Sequence, residues 1–192
     1  MKITLLATSD THGFIEPTNY VDSGLDKPFG IEKACSTIKN YQKTHPDEKI
    51  IVLDNGDFLE GSPMAYYVAK RADKQDQEAF FTAYNQVGYQ LGTIGNHEFD
   101  YGLDYLNYMM KNSDRHFVCA NIVDNNNEPL LADPYTIMDV AGVKIGFLGL
   151  TTTSTKKWKN VNDLNDFNLI SELDACRRYV PEMRKKADVV VV

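Results

Sequence analysis

Ile3-Thr4-Leu5-Leu6-Ala7-Thr8-Ser9-Asp10-Thr11-His12-Gly13 decides how the rest of the chain is read. An apolar run ends at Thr8, and a carboxylate and an imidazole follow in the loop beyond it. A short apolar run closed by turn residues reads as a β-strand that presents side chains at its C-terminal end. Two later stretches repeat the arrangement. Ile50-Ile51-Val52-Leu53 leads into Asp54-Asn55-Gly56-Asp57-Phe58-Leu59-Glu60-Gly61, and residues 91–94 lead into Gly95-Asn96-His97-Glu98-Phe99-Asp100. Each loop sets oxygen or nitrogen donors beside a glycine, whose backbone can turn tightly next to an ion. We read the three loops as one metal site built at the ends of neighbouring strands.

Helical patterns separate these strands. After a loop over 13–30, Ile31, Ala34, Cys35, Ile38 and Tyr41 recur at spacings of three and four, which predicts a helix over 31–44. Ser62-Pro63 reads as an N-cap followed by proline at the first helical position, opening a helix to about Lys70. A helix over 75–87 carries Phe80, Phe81, Tyr84 and Val87 on one stripe, and one over 103–110 turns Leu103, Leu106 and Met110 inward. Residues 117–120 read as a strand. Strands over 134–140 and 143–150 form a hairpin on Ala141-Gly142. A helix over 171–186 follows, with Leu173, Cys176, Val180, Met183 and Ala187 on its buried face, and 189–192 reads as the start of a buried strand. Alternation of strands and helices gives an α/β class. A buried strand normally hands over to a loop, so residues 1–192 are expected to be the N-terminal part of a longer protein.

A length of 192 residues suits one domain with a proper core, and 43% hydrophobic with 24% charged residues is ordinary for a globular chain. The net charge of -7, with no basic stripe to offset it, argues against a nucleic-acid polymer as partner. Cys35, Cys119 and Cys176 are far apart and odd in number, as expected of small apolar residues in a reducing compartment. The opening apolar run stops at Ser9-Asp10, too early for a signal-peptide core, and no run reaches the length of a membrane span. A cytoplasmic location without a membrane partner is therefore expected, with a secreted or cell-surface parent left open. Oligomeric state is not legible.

Asp10, His12, Asp57 and Asn96 are the candidate metal ligands. A carboxylate can bridge two cations, and Asp57 is the natural bridge; Asp10 and His12 complete one set, and Asn96 offers an amide oxygen to the other. Two cations about 3.5–4 Å apart can clamp a phosphoryl group and share a hydroxide nucleophile. Mixed nitrogen and oxygen donors without thiolate suit manganese, iron or zinc. His97 can point toward the substrate, and Asp100, three residues on, can reach back to its imidazole if the loop turns helically. Such a pair would stabilise a charged transition state or protonate a leaving alkoxide. Blander readings exist for each: Asp10 as a helix cap, Asn96 as a left-handed turn residue, Asp100 as an N-cap. Recurrence of the design in three loops favours the ligand reading. Asp54, Glu60 and Glu98 read as structural residues or hydrogen-bonding supports of the ligands. His45 and His116 read as bystanders, Phe80, Phe81 and Tyr84 as core, and Trp158 has no assignment.

At this point the chain resembles a known family. Asp10-x-His12, Gly56-Asp57-x-x-x-Gly61 and Gly95-Asn96-His97-Glu98 resemble the signature of the calcineurin-like metallophosphoesterases. More narrowly, the stretch 55–63, the stretch 95–100, Ala120-Asn121-Ile122 and Gly149-Leu150-Thr151-Thr152 resemble the 5′-nucleotidase / 2′,3′-cyclic-nucleotide 2′-phosphodiesterase family, and the resemblance covers the whole chain. It implies a sandwich of two mixed β-sheets flanked by α-helices, incomplete at the C-terminus. It also implies Asp10, His12, Asp57 and Asn96 as ligands of two divalent ions, with His97 and Asp100 as the transition-state dyad. The implied reaction is hydrolysis of nucleotide phosphoesters by a metal-bound hydroxide, with Gly61-Ser62-Pro63 leaning toward the cyclic-phosphodiesterase branch. A ligand histidine after 189–192, a Gly-His-x-His pair and a C-terminal nucleoside-binding domain belong to the family pattern and fall outside these residues. Residues 1–192 alone are thus expected to be weakly active or inactive. The rivals are a protein phosphatase, which carries an arginine where this chain has Leu59-Glu60, a nuclease, which needs a basic groove, and a non-catalytic metal- or ligand-binding module.

Overall fold

The computed structural model describes residues 1–21, 26–158 and 167–192, and the polar stretch around 159–166 lies outside them. The chain forms two compact units, Met1–Leu91 with His97–His116, and Gly92–Asn96 with Phe117–Val192.

In the first unit β1 (Ile3–Thr8) feeds α1 (Ile31–Thr44), which returns the chain to β2 (Lys49–Asp54). The two strands pair in parallel from Ile3 opposite Lys49 to Thr8 opposite Asp54, so their C-terminal ends finish side by side. That register brings the first two loops together. α1 buries Ile31 and Ile38. α2 (Pro63–Lys70) starts where Ser62 Oγ accepts from the Ala65 amide at 3.0 Å; the same hydroxyl donates to the Gly13 carbonyl at 2.7 Å. α3 (Lys74–Asn85) is capped by Asp73 and buries Phe80, Phe81 and Tyr84, the apolar stripe expected of core. β3 (Leu91–Gly92), α4 (Leu103–Lys111) and β4 (His116–Phe117) follow, and the sheet order is β1-β2-β3-β4, with the chain changing unit within β3 and within β4. Under the strand ends Asp54 is buried on the Arg115 guanidinium and accepts from Thr8 Oγ1, while Arg115 stacks 4.1 Å from the Phe58 ring centroid. Burial pushes the Asp54 carboxyl up, and Arg115 and Thr8 pull it back.

The second unit contains β5 (Ile122–Val123), a hairpin of β6 (Tyr135–Val140) and β7 (Val143–Leu148), α5 (Thr155–Trp158), β8 (Asn168–Leu169), α6 (Glu172–Met183) and β9 (Val189–Val191). Val140 faces Val143 across Ala141 and Gly142, whose φ of 54° and 89° are those of a two-residue primed turn. Its core joins Ala120 and Leu148 to Ala175, Tyr179 and Met183 of α6. Two stretches of the family resemblance meet here: Asn121 Nδ2 donates to the Thr151 carbonyl at 2.7 Å, and the Thr151 amide donates to Asn121 Oδ1 at 2.9 Å. Gly149 is required, because a Cβ there would lie 1.9 Å from the Val118 carbonyl oxygen. Among the described residues no helix is long and apolar enough to cross a membrane.

Some expectations need correction. The strand expected over 117–120 stops at Phe117, because Val118, Cys119 and Ala120 donate in turn to Gly92, Asp133 and Gly149, three different partners that make no ladder. In α4 the buried residues are Leu106 and Met109, with Met110 only half-buried. In α6 they are Ala175, Tyr179 and Met183, and Leu173 is 57% exposed. Met183 is buried as expected, and Cys176 and Val180 pack, partly buried, on the same core. Hydropathy weights Leu173 above Ala175, but the buried row is 175, 179 and 183. Among the described residues β9 pairs with β7 in the order β6-β7-β9; there Val189 is 45% exposed, while Val190 is partly buried and packs on the core of this unit.

Candidate metal centre

Main-chain hydrogen bonds zip the first two loops together. Asn55 donates to Thr8 at 2.8 Å, Asp10 to Gly56 at 3.0 Å and His12 to Asp57 at 2.9 Å. Asp10, His12 and Asp57 all adopt left-handed backbone, with φ of 54°, 48° and 56°. For residues with a Cβ this costs about 1–2 kcal/mol each, and such strain gathers at functional sites. It turns the three side chains toward one point: a ligand atom from each lies within 4.8 Å of the others. His12 Nε2 stands 3.8 Å from Asp10 Oδ1.

The third loop meets this group through the main chain and the ring of His97. The His97 amide donates to Asp57 Oδ1 at 2.8 Å. His97–Phe99 forms a single 3₁₀ turn, which brings Asp100 back beneath the imidazole. His97 Nδ1 lies 2.6 Å from Asp100 Oδ2 and 3.1 Å from Glu60 Oε2, and its ring meets that of His12 edge to face with centroids 5.1 Å apart. Glu98, fully buried, accepts at Oε2 from the Asp57 amide at 2.8 Å and at Oε1 from the Phe58 and Leu59 amides at 2.7 and 3.2 Å. Burial pushes the Glu98 carboxyl up to about 7 against the pull of the Asp57 and Phe58 amides.

The structure thus gathers Asp10, His12 and Asp57, and bonds His97 to Asp100. Asn96 is half-buried, falls in the second unit and directly precedes His97 in the chain; its part as a ligand rests on the motif. Two carboxylates and an imidazole converging within reach of one another fit a divalent cation. Glu60, read from the sequence as a structural residue or a support of the ligands, sits in a second group with His97 and Asp100 whose ligand atoms also lie within 4.8 Å of one another. The available signal was its place directly before Gly61 in the second loop.

The sequence model of the calcineurin-like phosphoesterases matches residues 3–192. The chain belongs to that family. As a calcineurin-like phosphoesterase it has the metallophosphoesterase fold, and the family implies divalent metal ions. The 2′,3′-cyclic-nucleotide 2′-phosphodiesterase/3′-nucleotidase of Salmonella typhimurium is 31% identical over 203 residues, covering 100% of this chain and 31% of that protein. Among solved structures, the calcineurin-like phosphoesterase YfkN of Bacillus subtilis superposes with a TM-score of 0.84 at 27% identity, over 97% of this chain and 59% of that one. A 5′-nucleotidase precursor from Thermus thermophilus gives 0.76 at 25% identity, over 100% of this chain and 36% of that one. The chain spans about a third of the length of the curated relatives it matches.

Proposed function

We propose that this calcineurin-like phosphoesterase is the N-terminal part of a catalytic domain that hydrolyses nucleotide phosphoesters, as 5′-monoesters or 2′,3′-cyclic diesters. The observation that carries the reading is the convergence of Asp10, His12 and Asp57 beside the His97–Asp100 pair. The activities named for the relatives, on nucleotides and cyclic nucleotides, support the substrate class.

Asp10, His12 and Asp57 would hold a divalent ion, and the ligand role expected of Asn96 rests on its motif alone. Bound there, the ion would supply Lewis acidity to the phosphoryl oxygens and acidify a water. The chain's own groups do the rest. His12 donates from Nδ1 to the Glu60 carbonyl at 2.7 Å, which leaves the Nε2 lone pair for a cation. Asp57 Oδ1 accepts from the His97 amide at 2.8 Å, which fixes one of the two oxygens of that carboxylate. With Asp100 on Nδ1, His97 presents Nε2 as the atom that stabilises a phosphoryl oxygen or gives a proton to the leaving alkoxide.

The test uses the full-length protein loaded with manganese. It should hydrolyse p-nitrophenyl phosphate, bis(p-nitrophenyl) phosphate or adenosine 2′,3′-cyclic monophosphate, and the Asp57→Asn and His97→Ala variants should not. Turnover of none of the three esters by metal-loaded protein refutes the reading, and the ratio among them selects the ester type.

A further inference from the structure

Glu60 meets both histidines of the site, and with different groups. Its main-chain carbonyl lies 2.7 Å from His12 Nδ1; a carbonyl only accepts, so that nitrogen carries the hydrogen. Its carboxylate oxygen Oε2 lies 3.1 Å from His97 Nδ1, the same atom that Asp100 Oδ2 approaches at 2.6 Å. Gly61 allows the double contact. Its φ is 130°, and a Cβ there would lie 2.7 Å from His12 Cβ and 2.9 Å from His12 Nδ1, so only glycine lets the backbone pass this close to the ring. The Glu60 side chain is 33% exposed, which makes packing a poor explanation for its placement.

We infer that Glu60 is a positioning residue for both histidines: its main chain sets the tautomer of His12, and its carboxylate shares with Asp100 the holding of the His97 ring. This rests on the hydrolase reading, since it serves the part given there to His97. A single acceptor at Nδ1 fixes one atom and leaves the ring plane to swing about that contact. A second oxygen on the same nitrogen narrows the swing and gives Nε2 one direction. Because the carbonyl belongs to the backbone, replacing the side chain separates the two tasks.

The test compares Glu60→Ala and Glu60→Gln with the wild type in the full-length protein. Manganese binding, measured by calorimetry, should stay within about twofold in both variants, since the carbonyl on His12 survives. In Glu60→Ala, kcat should fall about tenfold with KM unchanged, the size expected of a misaimed but present group. Glu60→Gln, whose amide oxygen can still accept, should recover most of it. Nitrogen-15 imidazole spectra of the metal-free protein at one fixed pH should change at His97 and not at His12 in Glu60→Ala. An active wild type with an equally active Glu60→Ala overturns the inference and leaves the hydrolase reading standing. Loss of manganese binding in Glu60→Ala overturns it in favour of a metal-ligand role. If the wild type turns over nothing, the hydrolase reading falls, and an unchanged His97 spectrum in Glu60→Ala overturns the positioning as well.

Discussion

Truncating Glu98 to alanine should destabilise the metal-free chain by about 2 kcal/mol, and the figure can be built from the contacts. Its two oxygens take three amide donors, and Phe58 and Leu59, which supply two of them, are 0% and 1% exposed and cannot turn to water instead. A buried donor left unpaired costs about 1–3 kcal/mol, so these two contribute about 4 and the half-buried Asp57 amide, which can rewet, about 1. Against that total of about 5 kcal/mol stands the relief of no longer burying a carboxylate, the burden that pushes Glu98 up to about 7. A credit of about 3 kcal/mol, at about 1.4 kcal/mol for each unit of the rise, leaves about 2.

The measurement is urea unfolding with chelator present, so that metal binding does not mask the loss. With a slope of about 2 kcal/mol per molar, the midpoint should drop by about 1 M. Glu98→Gln separates packing from loop geometry. It can keep Oε1 on Phe58 and Leu59 while turning an NH2 against the Asp57 amide. Its stability loss should therefore be smaller than that of Glu98→Ala, while its manganese affinity should still fall, because the displaced backbone is that of Asp57. A midpoint unmoved in Glu98→Ala at constant slope would refute the reasoning, since the second loop would then hold its shape without the carboxylate.

Other outcomes follow from the same structure. Asp57→Asn should weaken manganese binding about 100-fold by calorimetry, since it removes a charge from the ligand group and disturbs the acceptor of the His97 amide. Burial pushes the Cys119 thiol up to about 12, so a thiol reagent at pH 8 should label Cys35 and Cys176 and reach Cys119 only after urea is added. Lys2 and Thr4 hold Glu48 down at about 2, below its ordinary 4.5. Its contribution is thus present above pH 4.5 and lost as pH falls through about 2, so acid unfolding of wild type and Glu48→Gln should differ near pH 5 and converge below pH 2. Gly149→Ala must push a Cβ away from the Val118 carbonyl at 1.9 Å, and thermal melting should show a loss above about 3 kcal/mol.

How far the site could be read beforehand depends on what kind of fact each part is. That β1 and β2 end together follows from two short apolar runs joined by a helix, because a parallel pair in register must finish at the same edge. The Asp-x-His and Gly-Asp loops were legible for that reason, as was the Ser62 cap, whose chemistry is local. What escaped depends on a second residue far away in sequence. Glu60 matters through where the His12 ring lies, and Ala175 outranks Leu173 only because Ala120 and Leu148 cluster on its row. The glycines misled in a useful way. They marked where the backbone turns, yet Asp10, His12 and Asp57 carry left-handed φ themselves, beside Gly56 at 88°. A strained donor persists only where its surroundings over-determine it. Here the Asp10 amide on Gly56, the His12 amide on Asp57 and the Asp57 amide on Glu98 do so, and these main-chain bonds aim the donor side chains at one point.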